Sequence, residues 1–525
     1  MMNRRLTLVA CILTLGMQVV AQTHYDAALL SSSELNGTAR FVGMGGAMSA
    51  LGADISTIGS NPAGIGLYRS NEVSLSFGFN ATKAESNFGG TRMNDSRTRA
   101  SFDQGGFVMS SKIGNETSLR YFNFAFNYHK SRNFNRQLLA AGSLGGLSQT
   151  QQMASMMADA VSSISEVDAI YDYTSGSGNP YSVTGSNYPY LGVMGVRTEL
   201  VAVSSDESGL IGWNGQSSSY TSREAGGVQQ YDFCMAFNVS DRVYFGVTVG
   251  VFDVDYKITS LYTENIYDGD HTGYYEHCNW RRTEGTGVDV KLGMIVRPVE
   301  DSPFRIGFSF HTPTWYELTD RYYSDMYSKI QYADEDGTFT AEEYTPDYVG
   351  GANVQDYKLR TPWKLNVSAG TVFGGKVAVG AEYEFADCTS SRLYYDDGDE
   401  MYNQNQYLRE DLKGTHTVRV GLEAKLTPEF TFRAGYNYSS SGYKQTAYKA
   451  LNWNDIRTDT QYENDRDRHT VTVGLGYRQN GVFVDWAYKY DLYQSDFYAF
   501  SDEDLDATRV DNSRHQLLMT VGYRF

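Results

Sequence analysis

Most of the chain alternates apolar with small or polar residues at a period of two. Over 72–82, Val73, Leu75, Phe77 and Phe79 interleave with Ser74, Ser76, Gly78 and Asn80. Successive side chains of a strand point to opposite faces, so one face here is greasy and the other small and polar. The pattern returns in Phe122, Phe124, Phe126 and Tyr128, then in Tyr231, Phe233, Met235 and Phe237. It continues in Val243, Phe245, Val247, Val249 and Val251. Near Phe252 and Asp253 the phase slips by one and resumes as Val254, Tyr256 and Ile258, which predicts a β-bulge. Further strands are predicted over 288–296, 304–310, 363–369, 377–385, 418–424, 430–438, 471–477, 482–490 and 517–525. With a weaker strand over 106–112, the total is fourteen.

The connections alternate in length. Short ones fall at 113–118, 240–241, 300–302, 374–375, 427–429 and 479–481. Long ones fall around 83–102, 131–225, 262–284, 317–357, 392–412, 442–464 and 494–511. An even strand number, with tight turns on one side and long loops on the other, describes a transmembrane β-barrel of the bacterial outer membrane. A soluble sandwich has no reason to place every long loop on one side. The chain ends Val521-Gly522-Tyr523-Arg524-Phe525, an alternating strand closed by an aromatic, like the C-terminal assembly signal of such barrels. The fold class is therefore all-β: a fourteen-stranded antiparallel barrel.

Composition agrees with this and excludes alternatives. The 525 residues include 41 Tyr, 26 Phe and 6 Trp, yet mean hydropathy is −0.43. An average cannot register apolar residues that alternate with polar ones. No apolar run beyond the extreme N-terminus is long enough for a membrane helix. The formal charge of −18 argues against a nucleic-acid partner. Residues 1–21 carry Arg4 and Arg5 before the apolar stretch 6–20, a secretory signal peptide with cleavage expected after Ala21. Leu8-Val9-Ala10-Cys11 also matches a lipoprotein box, but leaves only a very short apolar stretch ahead of it. The expected mature chain keeps Cys234, Cys278 and Cys388, enough for at most one internal bridge.

Residues 22–70 lack alternation and are rich in small residues, notably over 39–52. Small residues allow close backbone packing in a confined space, so this segment is expected to be a plug inside a barrel of residues 71–525. Its motif Asn61-Pro62-Ala63, followed by Gly64, resembles the hatch of the FadL family of long-chain fatty acid transporters. The run from Arg305 through Ile306, Gly307, Phe308, Ser309, Phe310 and His311 to Thr312 and Pro313 also resembles that family. The resemblance implies passive uptake of long-chain fatty acids or other hydrophobic compounds. In that scheme ligand is captured by external loops and released laterally after the hatch moves. The acidic, Tyr-rich loops depart from the family pattern and leave the ligand class open.

Two places could handle ligand. The insertion at about 131–225 carries Met153, Met156, Met157, Ala160, Val161, Ile164 and Val167 at helical spacing. This predicts an amphipathic external helix that either packs on the rim or captures ligand through adaptable Met side chains. Inward-facing Arg305, Lys364 and Arg419 could meet a carboxylate headgroup, or pair with the other lumen charges. The acidic clusters at 334–336, 396–400 and 502–506 read as solvated loops, with bridging of lipopolysaccharide by divalent ions a minor alternative. No catalytic constellation accompanies His129, His311 or His416, so no enzyme activity, cofactor or protein-bound metal is expected. The expected partners are hydrophobic small molecules, the lipid bilayer and lipopolysaccharide, around a monomer. The alternative function is a protein-binding barrel like the type IX secretion subunit, which also resembles this family.

Overall fold

The computed structural model describes residues 22–525 except 174–178, 183–186, 205–208, 268, 270, 333–336 and 453. The expected signal peptide and the acidic cluster at 334–336 lie outside the described residues. Fourteen wall strands run antiparallel around a closed sheet. They are β1 Glu72–Phe88, β2 Thr91–Lys112, β3 Leu119–Asn133 with Arg136–Gly146, β4 Gly215–Val239 and β5 Val243–Tyr267. Next come β6 His271–Val296, β7 Arg305–His311 with Trp315–Tyr332, and β8 Thr338–Tyr344, Asn353–Arg360 and Lys364–Phe373. The last six are β9 Val377–Asp387 with Arg392–Tyr395, β10 Gly414–Lys425, β11 Phe430–Ser439, β12 Tyr462–Gln479, β13 Val482–Tyr498 and β14 Thr508–Arg524. The first and last strands close the ring, from Glu72 opposite Arg524 to Asn87 opposite Arg509.

The greasy face points outward. Val73, Leu75, Phe77, Phe79, Phe245, Val247, Val471 and Leu517 are all exposed on the outer surface, as a lipid-facing belt requires. The inward face carries the small and polar set, including buried Ser74, Ser76, Asn123, Thr248 and Thr472. No helix among the described residues is long and apolar enough to cross a membrane.

Two expectations are corrected. The phase slip at Phe252 is not a bulge, because β5 stays in register with both neighbours through this point. Instead the apolar set changes sides. Below Phe252 it faces lipid; above, Phe252, Val254 and Tyr256 face inward and are buried. The slip marks where the wall leaves the hydrocarbon layer and the lumen itself becomes apolar. Several long connections are also mostly strand. β1 and β2 meet in a two-residue turn at Gly89 and Gly90, both at positive φ, and β5 and β6 extend to Tyr267 and His271. The wall thus projects well beyond the membrane. Cys234, Cys278 and Cys388 are all free.

Candidate functional site: a chamber above an internal floor

The floor is residues 22–70. Its short helical turns are set by side-chain caps: Thr38 for Ala39–Gly43, Asp54 for Ile55–Gly59 and Asn61 for Pro62–Leu67. Asn61 Oδ1 accepts from Ala63 N at 3.1 Å, and Pro62 occupies the first helical position, where its missing N–H costs nothing. The motif lies against the inner wall, where Asn61 Nδ2 donates to Met294 O at 3.4 Å. Gly64 packs on Thr57 and Gly52 within the floor.

A belt of inward glycines lets the floor backbone reach the wall. A Cβ at Gly246 would stand 2.3 Å from Pro62 C, and one at Gly293 2.1 Å from Asn61 Oδ1. At Gly380 and Gly421 it would stand 2.1 and 2.2 Å from the carbonyl oxygens of Ala47 and Met44. These positions require glycine for close approach. The sequence carried the signal, one glycine at an inward position on strand after strand, but alternation alone reads it only as small.

Polar contacts fix the floor. Arg40 Nε donates to Glu423 at 2.8 Å, and Glu423 also pairs with Arg433, which reaches Asp485 at 2.6 Å. His311 and Ser309 both contact Ser60 O, at 2.8 and 2.7 Å. Arg305, expected to face ligand, instead donates to Leu51 O at 2.6 Å. Arg419 pairs with Glu382 and, at 3.1 Å, with Glu384. Lys364 lines the open chamber and makes no ion pair among the described residues.

The lid is the segment after β3. It forms two helices, Gln149–Ala160 and Ile164–Tyr171, broken at Val161 rather than continuous, followed by Tyr190–Arg197. Met153 and Met157 are fully buried and Met156 nearly so, in a core with Leu191, Val193, Met194, Tyr262, Tyr275 and Ile330. The strand residues of this core lie on the lumen side of the projecting wall. The methionines therefore pack the lid into the mouth. Ser148 caps the first helix, and buried Glu264 accepts from Gln149 N at 3.2 Å, Tyr262 at 2.7 Å and Tyr275 at 2.9 Å.

The connection between β11 and β12 also folds inward. Arg457 donates to Asp26 at 2.6 Å and to Asp459 at 2.6 and 2.7 Å, and Lys449 reaches Asp459 at 2.8 Å. Asp26 belongs to the helix His24–Ser31 and also pairs with Arg281. Burial alone would raise the Asp26 carboxyl, but Arg457 and Arg281 overcome it and hold it below the usual carboxylate range. Burial pulls Lys449 down to about 8 against Asp459. Burial pushes Asp455 up to about 7, although it accepts from Arg457 N at 2.9 Å. The alternation gives 442–464 as a long connection but not its inward fold, and it does not show the helix beneath, since neither has a periodic apolar face.

The floor, the wall and the inward β11–β12 connection line a chamber of about 500 Å³, within the roughly 300–1,000 Å³ of small-molecule sites. Much of its wall is charged, with Arg281, Lys364, Arg419, Arg468 and Arg514 facing Asp26, Glu34, Glu384 and Asp491. One side is apolar: Leu29, Leu30, Phe134, Val228, Phe252, Tyr256 and Tyr316. Phe252 meets Tyr316 edge-on at 5.8 Å, and Tyr256 meets Phe134 edge-on at 4.8 Å.

Phe134 stands at a break in the wall. β3 pairs with β2 only as far as His129 opposite Gln104. It then bulges near Ser131, stops at Asn133 and resumes at Arg136, hydrogen-bonded as a ladder to β4 alone. The upper part of β2 pairs only with β1. The seam is bridged by side chains: Thr82 Oγ1 to Asn135 O at 3.4 Å, Ser86 Oγ to Leu139 O at 2.5 Å, and Arg97 to Glu224 O at 2.7 Å. The chamber reaches Thr82 and Lys83 of β1 beside this seam.

No family model and no curated protein matches the chain. Solved structures do. A Pseudomonas aeruginosa FadL homologue superposes with a TM-score of 0.52 at 12% identity, over 94% of this chain and 99% of that one. The Pseudomonas putida toluene transporter TodX gives 0.46 at 12% identity, over 94% and 99%. The Ralstonia pickettii toluene transporter TbuX gives 0.44 at 13%, over 94% and 99%. The fold is that of a FadL-type outer-membrane barrel.

Proposed function

We propose that the protein is a passive outer-membrane channel for hydrophobic compounds, long-chain fatty acids among them. One observation carries the reading: the apolar side of the chamber ends at Phe134, inside the break in the wall. An apolar ligand gains from leaving water for apolar surface, and this surface leads toward the lipid-facing exterior. Opening there parts side-chain contacts and leaves every backbone ladder intact. The lid admits ligand by moving as a packed unit on Met153, Met156 and Met157. The floor around Asn61, Pro62, Ala63 and Gly64 then closes the periplasmic end and directs ligand sideways. Lys364, free of ion pairs in the chamber, meets a fatty acid carboxylate through a charge-assisted contact. Arg305 and Arg419 act by holding the floor and the wall.

The test is uptake of labelled oleate and toluene by cells lacking the protein and by cells given Thr82→Cys/Asn135→Cys. Uptake of at least one compound is expected to fall several-fold in both, with dithiothreitol restoring the crosslinked form. Uptake equal to the parent strain's for both compounds in the deletion overturns the channel reading. Full uptake through the oxidised variant overturns the lateral route.

A further inference from the structure

The outer surface carries a motif repeated three times. In the β9–β10 hairpin, Phe385 lies opposite His416, and Tyr383, two residues lower, contacts His416 Nδ1 through its hydroxyl at 2.7 Å. In β11–β12, Tyr438 lies opposite His469 and Tyr436 makes the same 2.7 Å contact. In β13–β14, Tyr490 lies opposite His515 and Tyr488 repeats it at 2.7 Å. All three histidines are exposed.

The row runs parallel to the membrane. From one hairpin to the next the motif steps down by two residues while crossing two strands: Val418 pairs with Tyr438, and Val471 with Tyr490. Two residues rise about 6.7 Å and two strands span about 9.6 Å, a slope of about 35°. That is the tilt of strands in such barrels, roughly 35–45°, so the step cancels the tilt. The row also stands at the outer edge of the apolar belt. His515 precedes the terminal Phe525 by ten residues, which at that tilt is about 25 Å, the height of the lipid-facing band. Immediately below each histidine the outer face is Val418, Val471 or Leu517, all exposed to lipid.

The contact sets the proton. A phenol donates more readily than it accepts, so each Tyr hydroxyl donates to Nδ1 and leaves the proton on Nε2. If the ring takes a second proton, Nδ1–H donates to the phenol and Nε2–H is unchanged. Three outward N–H donors, unused by any hydrogen bond among the described residues, therefore stand in one plane at the headgroup level. Asp467, the acidic side chain nearest His469 on that strand, is occupied by Tyr438 Oη at 2.6 Å and Ser441 N at 2.9 Å. Anionic oxygen is what such donors bind. We propose that this row, over β9–β14, is a binding strip for the phosphate-bearing headgroups of outer-leaflet glycolipid. The inference is independent of what the chamber carries.

The test uses the purified full-length barrel in detergent, with binding read by native mass spectrometry. Probes are diphosphorylated lipid A, its dephosphorylated form, and inorganic phosphate. Wild type is expected to bind the diphosphorylated lipid at least tenfold more tightly than the dephosphorylated one, with no effect of inorganic phosphate. The triple variant His416→Phe/His469→Phe/His515→Phe is expected to lose that preference while retaining heat-modifiable mobility. If it fails to fold, Tyr383→Phe/Tyr436→Phe/Tyr488→Phe removes only the hydroxyls and is expected to weaken the preference several-fold. Equal binding of both lipids by wild type, an undiminished preference in the folded variant used, or an equal response to inorganic phosphate overturns the proposal.

Discussion

Replacing Gly246 by Ala tests whether the floor is held by close backbone contact. The added methyl would stand 2.3 Å from Pro62 C and 2.4 Å from Pro62 O, where ordinary contact begins at 3.4 Å. Both are backbone atoms and no flexible side chain can yield, so Pro62 must move by about 1 Å. The shift also disturbs Ala63 N to Asn61 Oδ1 and Asn61 Nδ2 to Met294 O, at 3.1 and 3.4 Å. Overpacking of this kind costs about 1–3 kcal/mol, which raises the population of a displaced floor roughly 5- to 150-fold. The wall strand is unaffected because Ala is tolerated at an inward position. The assay is conductance in planar bilayers, supported by liposome swelling with a small sugar. Gly246→Ala is expected to show frequent openings where wild type shows few. Gly337→Ala, with nothing within 4 Å of its Cβ, is the control expected to match wild type. A folded Gly246→Ala barrel with wild-type conductance would refute the tight contact on which the floor's closure rests.

The lid gives a second expectation: Met157→Ala, in a fully buried site, should cost about 2–5 kcal/mol and expose the segment 149–213 to limited proteolysis while the barrel survives. Lys364→Gln is expected to weaken uptake of oleate several-fold and leave uptake of toluene unchanged, because only the former carries a carboxylate; equal effects on both would remove Lys364 from headgroup binding. Asp455 gives a pH dependence. Its folded pKa, raised to about 7 from 3.8, means its contribution to stability is present below the unfolded value and lost as pH rises through about 7. Asp455→Asn is therefore expected to tighten the inward loop at pH 8, by an amount on the order of 4 kcal/mol, and to have no effect near pH 4. Hydrogen exchange over 449–459 reads both.

The wall was legible because lipid and lumen impose opposite demands on alternate residues, and fourteen apolar sets survive in the order of the chain. What escaped lies where that demand ends. Above the membrane both faces of a strand meet protein or water, so 83–102 and 262–284 read as loop although 83–88, 91–102, 262–267 and 271–284 are strand. The inward loop at 449–459 is held in part by Arg457, whose partner Asp26, itself paired with Arg281, is far away in sequence. The three methionines were visible as a stripe, yet spacing alone cannot say which surface a stripe covers.

The misread phase slip bears most directly on mechanism. A bulge at Phe252 would have kept the greasy set facing lipid along all of β5. Continuous register turns the same residues inward instead, giving the outer half of the lumen apolar side chains at Phe252, Val254 and Tyr256. The inner half keeps Lys291 between Asp232 and Asp289, at 3.1 and 2.8 Å. An apolar molecule entering beneath the lid therefore meets a surface that accepts it above and desolvated ion pairs that resist it below. In the proposed lateral route, the path of least cost turns aside at the boundary between the two. Phe134 and the unpaired edge of β3 lie beside that boundary, so in that proposed route the sequence feature that looked like an irregularity of one strand also sets the level of exit.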